Sequence, residues 1–121
     1  MEEKITSMRN YFNSNITKGV SYRLKELERL REALTEYEQE LLDALSVDLG
    51  KCNFEAYMTE LGIVYQDLSH TIKQLKRWAK PKHVSASVIN FPSSAKVYYE
   101  PKGIALIISP WNYPLQLTLM P

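Results

Sequence analysis

The chain's 121 residues suit one domain, and 45% hydrophobic with 24% charged residues is the balance of an ordinary folded protein rather than a disordered one. Fifteen basic against fourteen acidic residues leave a formal charge of +1, which gives no electrostatic basis for nucleic acid or an anionic membrane as partner. The single cysteine, Cys52, excludes an internal disulfide, no stretch offers the roughly 18 apolar residues of a spanning helix, and Glu2, Glu3, Lys4 and Arg9 interrupt any leader core, so a cytoplasmic protein is expected.

Residues 1–80 read as helical. Lys4 to Asn15 can form a first short helix, with Gly19 as its C-terminal cap and Ser21 as the N-cap of the next. From there Leu24, Leu27, Leu30, Leu34, Tyr37, Leu41 and Leu45 recur every three or four residues, one apolar stripe along a helix that stops near Asp48-Leu49-Gly50. Glu28 and Arg31 fall on its wet side, spaced to pair. Asn53 then caps a second long helix with the stripe Phe54, Tyr57, Met58, Leu61, Val64, Tyr65, Leu68, Ile72, Leu75 and Trp78, ended by Pro81. Two such stripes joined by a short connection predict an antiparallel helix pair.

Beyond Pro81 the helical period is lost. Val88-Ile89-Asn90-Phe91 and Lys96-Val97-Tyr98-Tyr99 read as two strands around a turn at Pro92-Ser93-Ser94. Gly103-Ile104-Ala105-Leu106-Ile107-Ile108-Ser109 is almost entirely apolar, the pattern of a strand buried on both faces of a parallel sheet. Pro110 stops it, and a helix begins near Leu115 with Pro114 in its first turn. The last residues, Leu115 to Pro121, are apolar where domains ordinarily end in a polar tail, so a fragment of a longer protein is expected.

The strand–loop–helix unit carries the chemistry. Ligands of α/β sheets bind beyond the carboxyl ends of the strands, the place of Ser109-Pro110-Trp111-Asn112-Tyr113-Pro114. Two prolines stiffen that loop, and Asn112 offers two amide N–H donors. Held rigidly, such a donor can stabilise an oxyanion; alternatively Asn112 only tolerates an unusual backbone and bonds locally.

The run Pro101-Lys102-Gly103 through Trp111-Asn112-Tyr113-Pro114 resembles the aldehyde dehydrogenase motif P-x-G-V-x-x-x-I-x-P/T-W-N-Y/F-P, and Tyr-Pro after Trp-Asn resembles the class 3, fatty-aldehyde-like branch. Upstream, Tyr11-Phe12, Thr17, Arg23, Leu24, Leu27 and Leu30, then Asp48-Leu49-Gly50-Lys51, Glu55-Ala56-Tyr57, Trp78 and Lys80-Pro81 are similar to the same branch. The resemblance implies an α/β fold of which this chain is the amino-terminal part: helices of the nucleotide-binding domain at residues 1–82, an oligomerisation strand arm at 83–100, and the first strand and loop of a Rossmann-like sheet at 101–121. It implies oxidation of an aldehyde to a carboxylic acid with NAD or NADP, and a homodimer formed through the arm. A cysteine thiolate would attack the carbonyl, Asn112 would hold the oxyanion, and a glutamate-activated water would release the acid. Ile108, Ser109, Pro110 and Trp111 would border the nicotinamide ribose.

The chain departs from that family in what it lacks. The family's nucleophilic cysteine, catalytic glutamate and cofactor glycine motif lie beyond the matched segment, and the glycines here are only Gly19, Gly50, Gly62 and Gly103. The isolated piece is therefore expected to be inactive. Cys52 stands in a connection between helices without a nucleophile motif, and with His70 and His83 it shows no zinc-ligand spacing. Tyr98 and Tyr99 read as strand packing, and the charged face of residues 25–40 as solvated. A rival reading is a helical interaction module, since Leu27, Leu30, Leu34, Tyr37, Leu41 and Ala44 fit a heptad seam, though a short one.

Overall fold

The structure, a computed structural model, describes residues 2–121, the side chain of Asn90 excepted. Helix α1 spans Glu2–Asn13 and buries no residue. It is tied to α2 (Val20–Glu36) by the Tyr11 and Tyr22 hydroxyls, 2.8 Å apart. Asn15, at φ 64°, makes the left-handed turn between them, a conformation asparagine tolerates. Gly19 caps the 3-10 turn Ile16–Lys18 rather than α1 itself, and does so extended rather than left-handed; it is also the N-cap of α2, and Ser21 lies inside that helix rather than capping it.

The Tyr11 bond, first among the causes, pushes the Tyr22 phenol up to about 12 from an ordinary 10. A raised folded pKa means that this contact stabilises the fold in full below pH 10 and is lost as the pH climbs towards 12. Tyr11→Phe should accordingly return the upper tyrosinate transition in an ultraviolet titration towards the ordinary value. An unmoved transition would show that the Tyr11 bond is not its cause.

The expected single helix over residues 24–45 is broken at Tyr37, whose φ −98° and ψ 13° divide α2 from α3 (Glu38–Leu49). Backbone bonds still cross the bend, Tyr37 N–H to Ala33 and Leu41 N–H to Tyr37, each 3.0 Å. The stripe turns with it: Leu34, Leu42 and Leu45 are buried while Tyr37 is exposed. The wet-side ion pair is Arg29–Glu26, at 3.1 Å, rather than Glu28 with Arg31. Gly50, at φ 68°, closes α3 in the left-handed conformation that glycine adopts without strain.

The second long helix enters at Cys52, with Asn53 its first residue rather than its cap. It runs as α4 (Asn53–Ala56), a π turn (Tyr57–Leu61) and α5 (Gly62–Trp78). A π turn inserts one extra residue and rotates what precedes it about the helix axis. Ahead of α5, Ala56, Glu60 and Leu61 therefore face inward, and Phe54, Tyr57 and Met58 of the expected stripe are exposed. Beyond the turn Val64 and Leu68 of the stripe are buried with Tyr65 and Ile72 packed on the core, while Trp78, the last residue of the expected stripe, is exposed. The Tyr65 hydroxyl donates to Glu38 at 2.9 Å and fastens α5 to the start of α3.

One core results: Leu34, Leu42, Leu45, Ala56, Leu61, Val64 and Leu68, flanked by Leu27, Leu30 and Leu41 and closed by Leu115 and Leu119. Those last two come from α6 (Pro114–Leu119), whose first residue is the expected proline.

The strand pair is displaced from its expected place. β1 (Lys82–Val84) pairs antiparallel with β2 (Ala95–Val97), Lys82 opposite Val97 and Val84 opposite Ala95. Val88–Asn90 is a 3-10 turn instead of a strand, because the Ser87 hydroxyl accepts the Ile89 N–H that a ladder would use. Tyr98 and Tyr99 lie beyond β2 and are exposed, with Lys82 Nζ 5.1 Å from the Tyr99 ring centre. Residues 103–109, expected to be buried on both faces, join no ladder among the described residues, and Leu106 and Ile108 are exposed. A parallel strand needs neighbours on either side, and the described residues contribute none to it.

Candidate active-site loop

The segment from Ser109 to Pro114 is held at both ends. At the near end, the Thr118 hydroxyl lies 2.7 Å from Ser109 Oγ and 2.6 Å from the Pro114 carbonyl oxygen. Thr118 has a single proton, so donation to the carbonyl leaves Ser109 to donate to Thr118. At the far end, Glu60 Oε2 accepts the backbone N–H of Leu115 at 2.8 Å and of Gln116 at 3.4 Å. The other carboxylate oxygen of Glu60 takes the ammonium of Lys51.

Glu60 is 0% exposed. A buried carboxylate is costly unless paired and hydrogen-bonded, and here one cation and two N–H groups meet that need. Lys51 also lies 4.2 Å from the centre of the Tyr113 ring, a cation–π contact. Tyr113 needs such support: at φ 51° and ψ 49° it is left-handed, a conformation costing a non-glycine residue about 1–2 kcal/mol. The backbone thus turns sharply directly after Asn112.

Asn112 is exposed, and the side-chain bonds of this region are made by Glu60, Ser109 and Thr118 rather than by it. Its carboxamide is not consumed by its own backbone. Ile108 and Trp111 are 84% and 93% exposed, Pro110 is exposed and Ser109 half-buried. An apolar groove beside the loop is lined by Leu41, Leu45, Asp48, Trp111, Pro114 and Leu115.

Elsewhere, Cys52 is an exposed thiol at the start of α4. His70 packs on Trp78 with ring centres 5.6 Å apart, and His83 pairs with Lys96 across the strands. The described residues contain no cluster of three metal-ligating side chains. The residues that sequence reasoning missed are Glu60 and Lys51. They stand nine positions apart across a helix start, a spacing that signals nothing, and a glutamate in a helix ordinarily faces water.

Residues 1–120 match the family model described as aldehyde dehydrogenase family. The chain belongs to the aldehyde dehydrogenase family. It is 40% identical over 121 residues to the 4,4'-diaponeurosporen-aldehyde dehydrogenase of Staphylococcus aureus, covering all of this chain and 26% of that protein. With aldehyde dehydrogenase family 3 member H1 of Arabidopsis thaliana it shares 35% over 117 residues, 97% of this chain and 24% of the relative. A solved structure of Staphylococcus aureus AldH in a substrate-bound state superposes with a TM-score of 0.94 at 41% identity, over 98% of this chain and 26% of that one. The fold is therefore that of the amino-terminal part of an aldehyde dehydrogenase, and the class 3 resemblance holds. The chain spans about a quarter of the length of these aldehyde dehydrogenases. No helix among its described residues is long and apolar enough to cross a membrane.

Proposed function

We propose that the chain is the amino-terminal part of an NAD(P)-dependent enzyme that oxidises an aldehyde to a carboxylic acid, and that Asn112 is its oxyanion donor. The observation that carries this reading is the unengaged Asn112 carboxamide on a loop anchored at both ends. Addition of a thiolate to a carbonyl places negative charge on oxygen, and a fixed neutral N–H donor stabilises that charge more than the ground state. The nucleophilic cysteine and the glutamate that activates water come from other parts of the longer enzyme. Cys52 does not fit that nucleophile, since among the described residues no base is hydrogen-bonded to this exposed thiol.

Bound NAD(P) supplies the hydride acceptor. Ile108 and Trp111 offer exposed apolar surface for a sugar and ring edge to pack on, Pro110 keeps the backbone between them stiff, and Ser109 is already oriented by Thr118. These features fit residues 108–111 to the border of the nicotinamide ribose. By the same reading residues 1–82 and 101–121 belong to the nucleotide-binding domain and 83–100 to an oligomerisation arm. The arm's two-stranded sheet has free edges, and Val88, Ile89 and Phe91 are exposed beside it, which supports pairing with a second copy in a homodimer. A cytoplasmic setting belongs to the same proposal.

The helical-module alternative is not favoured. Leu34 and Leu45 of the leucine-rich region are occupied in the chain's own core, and the seam is interrupted at Tyr37.

The test is aldehyde-dependent formation of NAD(P)H, followed by absorbance. The longer protein should form it and the 121-residue chain should not. Turnover by the isolated chain would refute the division of labour, and an inert longer protein would refute the activity.

A further inference from the structure

Glu60 is the fully buried charged side chain of the described core, and aldehyde chemistry as set out above makes no use of it. We propose that Glu60, together with Lys51, is a positioning residue for Asn112: the pair holds the far end of the loop so that the carboxamide keeps one place and one direction. The inference rests on the reading of Asn112 as oxyanion donor.

Three observations carry it. First, Glu60 is aimed inward by the π turn, and its carboxylate is used entirely on Lys51 and on the first N–H groups that follow the loop. An ordinary helix would point this side chain elsewhere, and π turns concentrate where such a redirection serves function. Second, Lys51 binds two things at once, the Glu60 carboxylate and the face of Tyr113. Tyr113 is the left-handed residue, so without that grip its backbone gains by relaxing to a right-handed or extended state. Such a change at Tyr113 swings Asn112, its immediate neighbour. Third, the loop's other anchor, Ser109 to Thr118, leads back to α6 itself, so both anchors depend on where Glu60 seats that helix. Oxyanion stabilisation is sharply geometric, and a displacement of about 1 Å can lower a rate by ~10²-fold.

The test is a double-mutant cycle in the full-length enzyme, with Glu60→Gln, Asn112→Ala and the two combined. Glutamine keeps an oxygen for the two N–H groups but gives up the charge that holds Lys51. Glu60→Gln should lower kcat by ~10-fold or more with the aldehyde KM within ~2-fold, and amide exchange at Leu115 and Gln116 should quicken. In the Asn112→Ala background the same change should cost less than ~2-fold further, because the group it positions is gone. Losses that multiply in full, or an unchanged kcat in Glu60→Gln, overturn the proposal. If instead Asn112→Ala alone leaves the rate unaltered, it is the oxyanion reading that fails, while the amide exchange still reports whether Glu60 anchors the loop. Should Glu60→Gln fail to fold, Lys51→Gln runs the same cycle with the same expected and opposing outcomes.

Discussion

Replacing Asn112 by alanine in the complete enzyme is expected to lower kcat by ~10²–10³-fold while leaving the aldehyde KM and the fold nearly unchanged. The rate falls because both side-chain N–H donors are removed from the one place where charge develops, and a methyl group offers nothing to replace them. KM holds because a neutral carbonyl oxygen in the ground state draws much less from such a donor than the anion does. The fold holds because the side chain is exposed, and the loop's shape is maintained by Glu60, Lys51, Ser109 and Thr118 around it. Asn112→Asp should be no better than alanine, since a carboxylate at the same position repels the forming oxyanion. Steady-state kinetics with circular dichroism on each variant checks both halves. A kcat within ~2-fold of the parent would remove Asn112 from the chemistry.

The largest effect on stability is expected from Leu61→Ala, at about 2–5 kcal/mol by urea unfolding of the chain followed through its helical signal. Leu61 is 0% exposed, joins the π turn to α5, and belongs to the core cluster shared with Leu34 of α2 and Leu42 and Leu45 of α3. Shortening it leaves a cavity beside Glu60, and a close-packed interior refills such a space only in part. Against a typical total of about 5–15 kcal/mol, and with seven buried hydrophobic residues in the core among the described residues, the loss is a large fraction of what holds the chain folded. Val47→Ala on α3 provides the comparison. At 85% exposed, Val47 should change stability by no more than about 0.5 kcal/mol. Equal shifts for the two variants would mean that Leu61 does not sit at the centre of the core.

The helices, the closing turn at Gly50, the stop at Pro81 and the start of α6 at Pro114 were legible in the order of residues, because each depends on contacts within a turn or two: apolar spacing, a left-handed glycine, a proline ring. Family membership was legible too, in the dense run from Pro101 to Pro114. The same order of residues misplaced what depends on partners. Val88 and Ile89 favour strands by composition, yet the Ser87 hydroxyl captures the Ile89 N–H and β1 forms earlier, at Lys82–Val84, where Ala95–Val97 comes to meet it. Ile104 to Ile108 reads as a buried strand, but hydrogen-bonded neighbours make a strand, and none of the described residues pairs with this segment. Above all, no local rule turns Glu60 inward. One extra residue in a helical turn does so, and the bonds that make the position tolerable come from Lys51, nine residues before it, and Leu115, fifty-five after it. Short-range sterics and periodicity act along the chain and are written in it; the seating of a buried charge is settled by distant groups that only packing brings within reach.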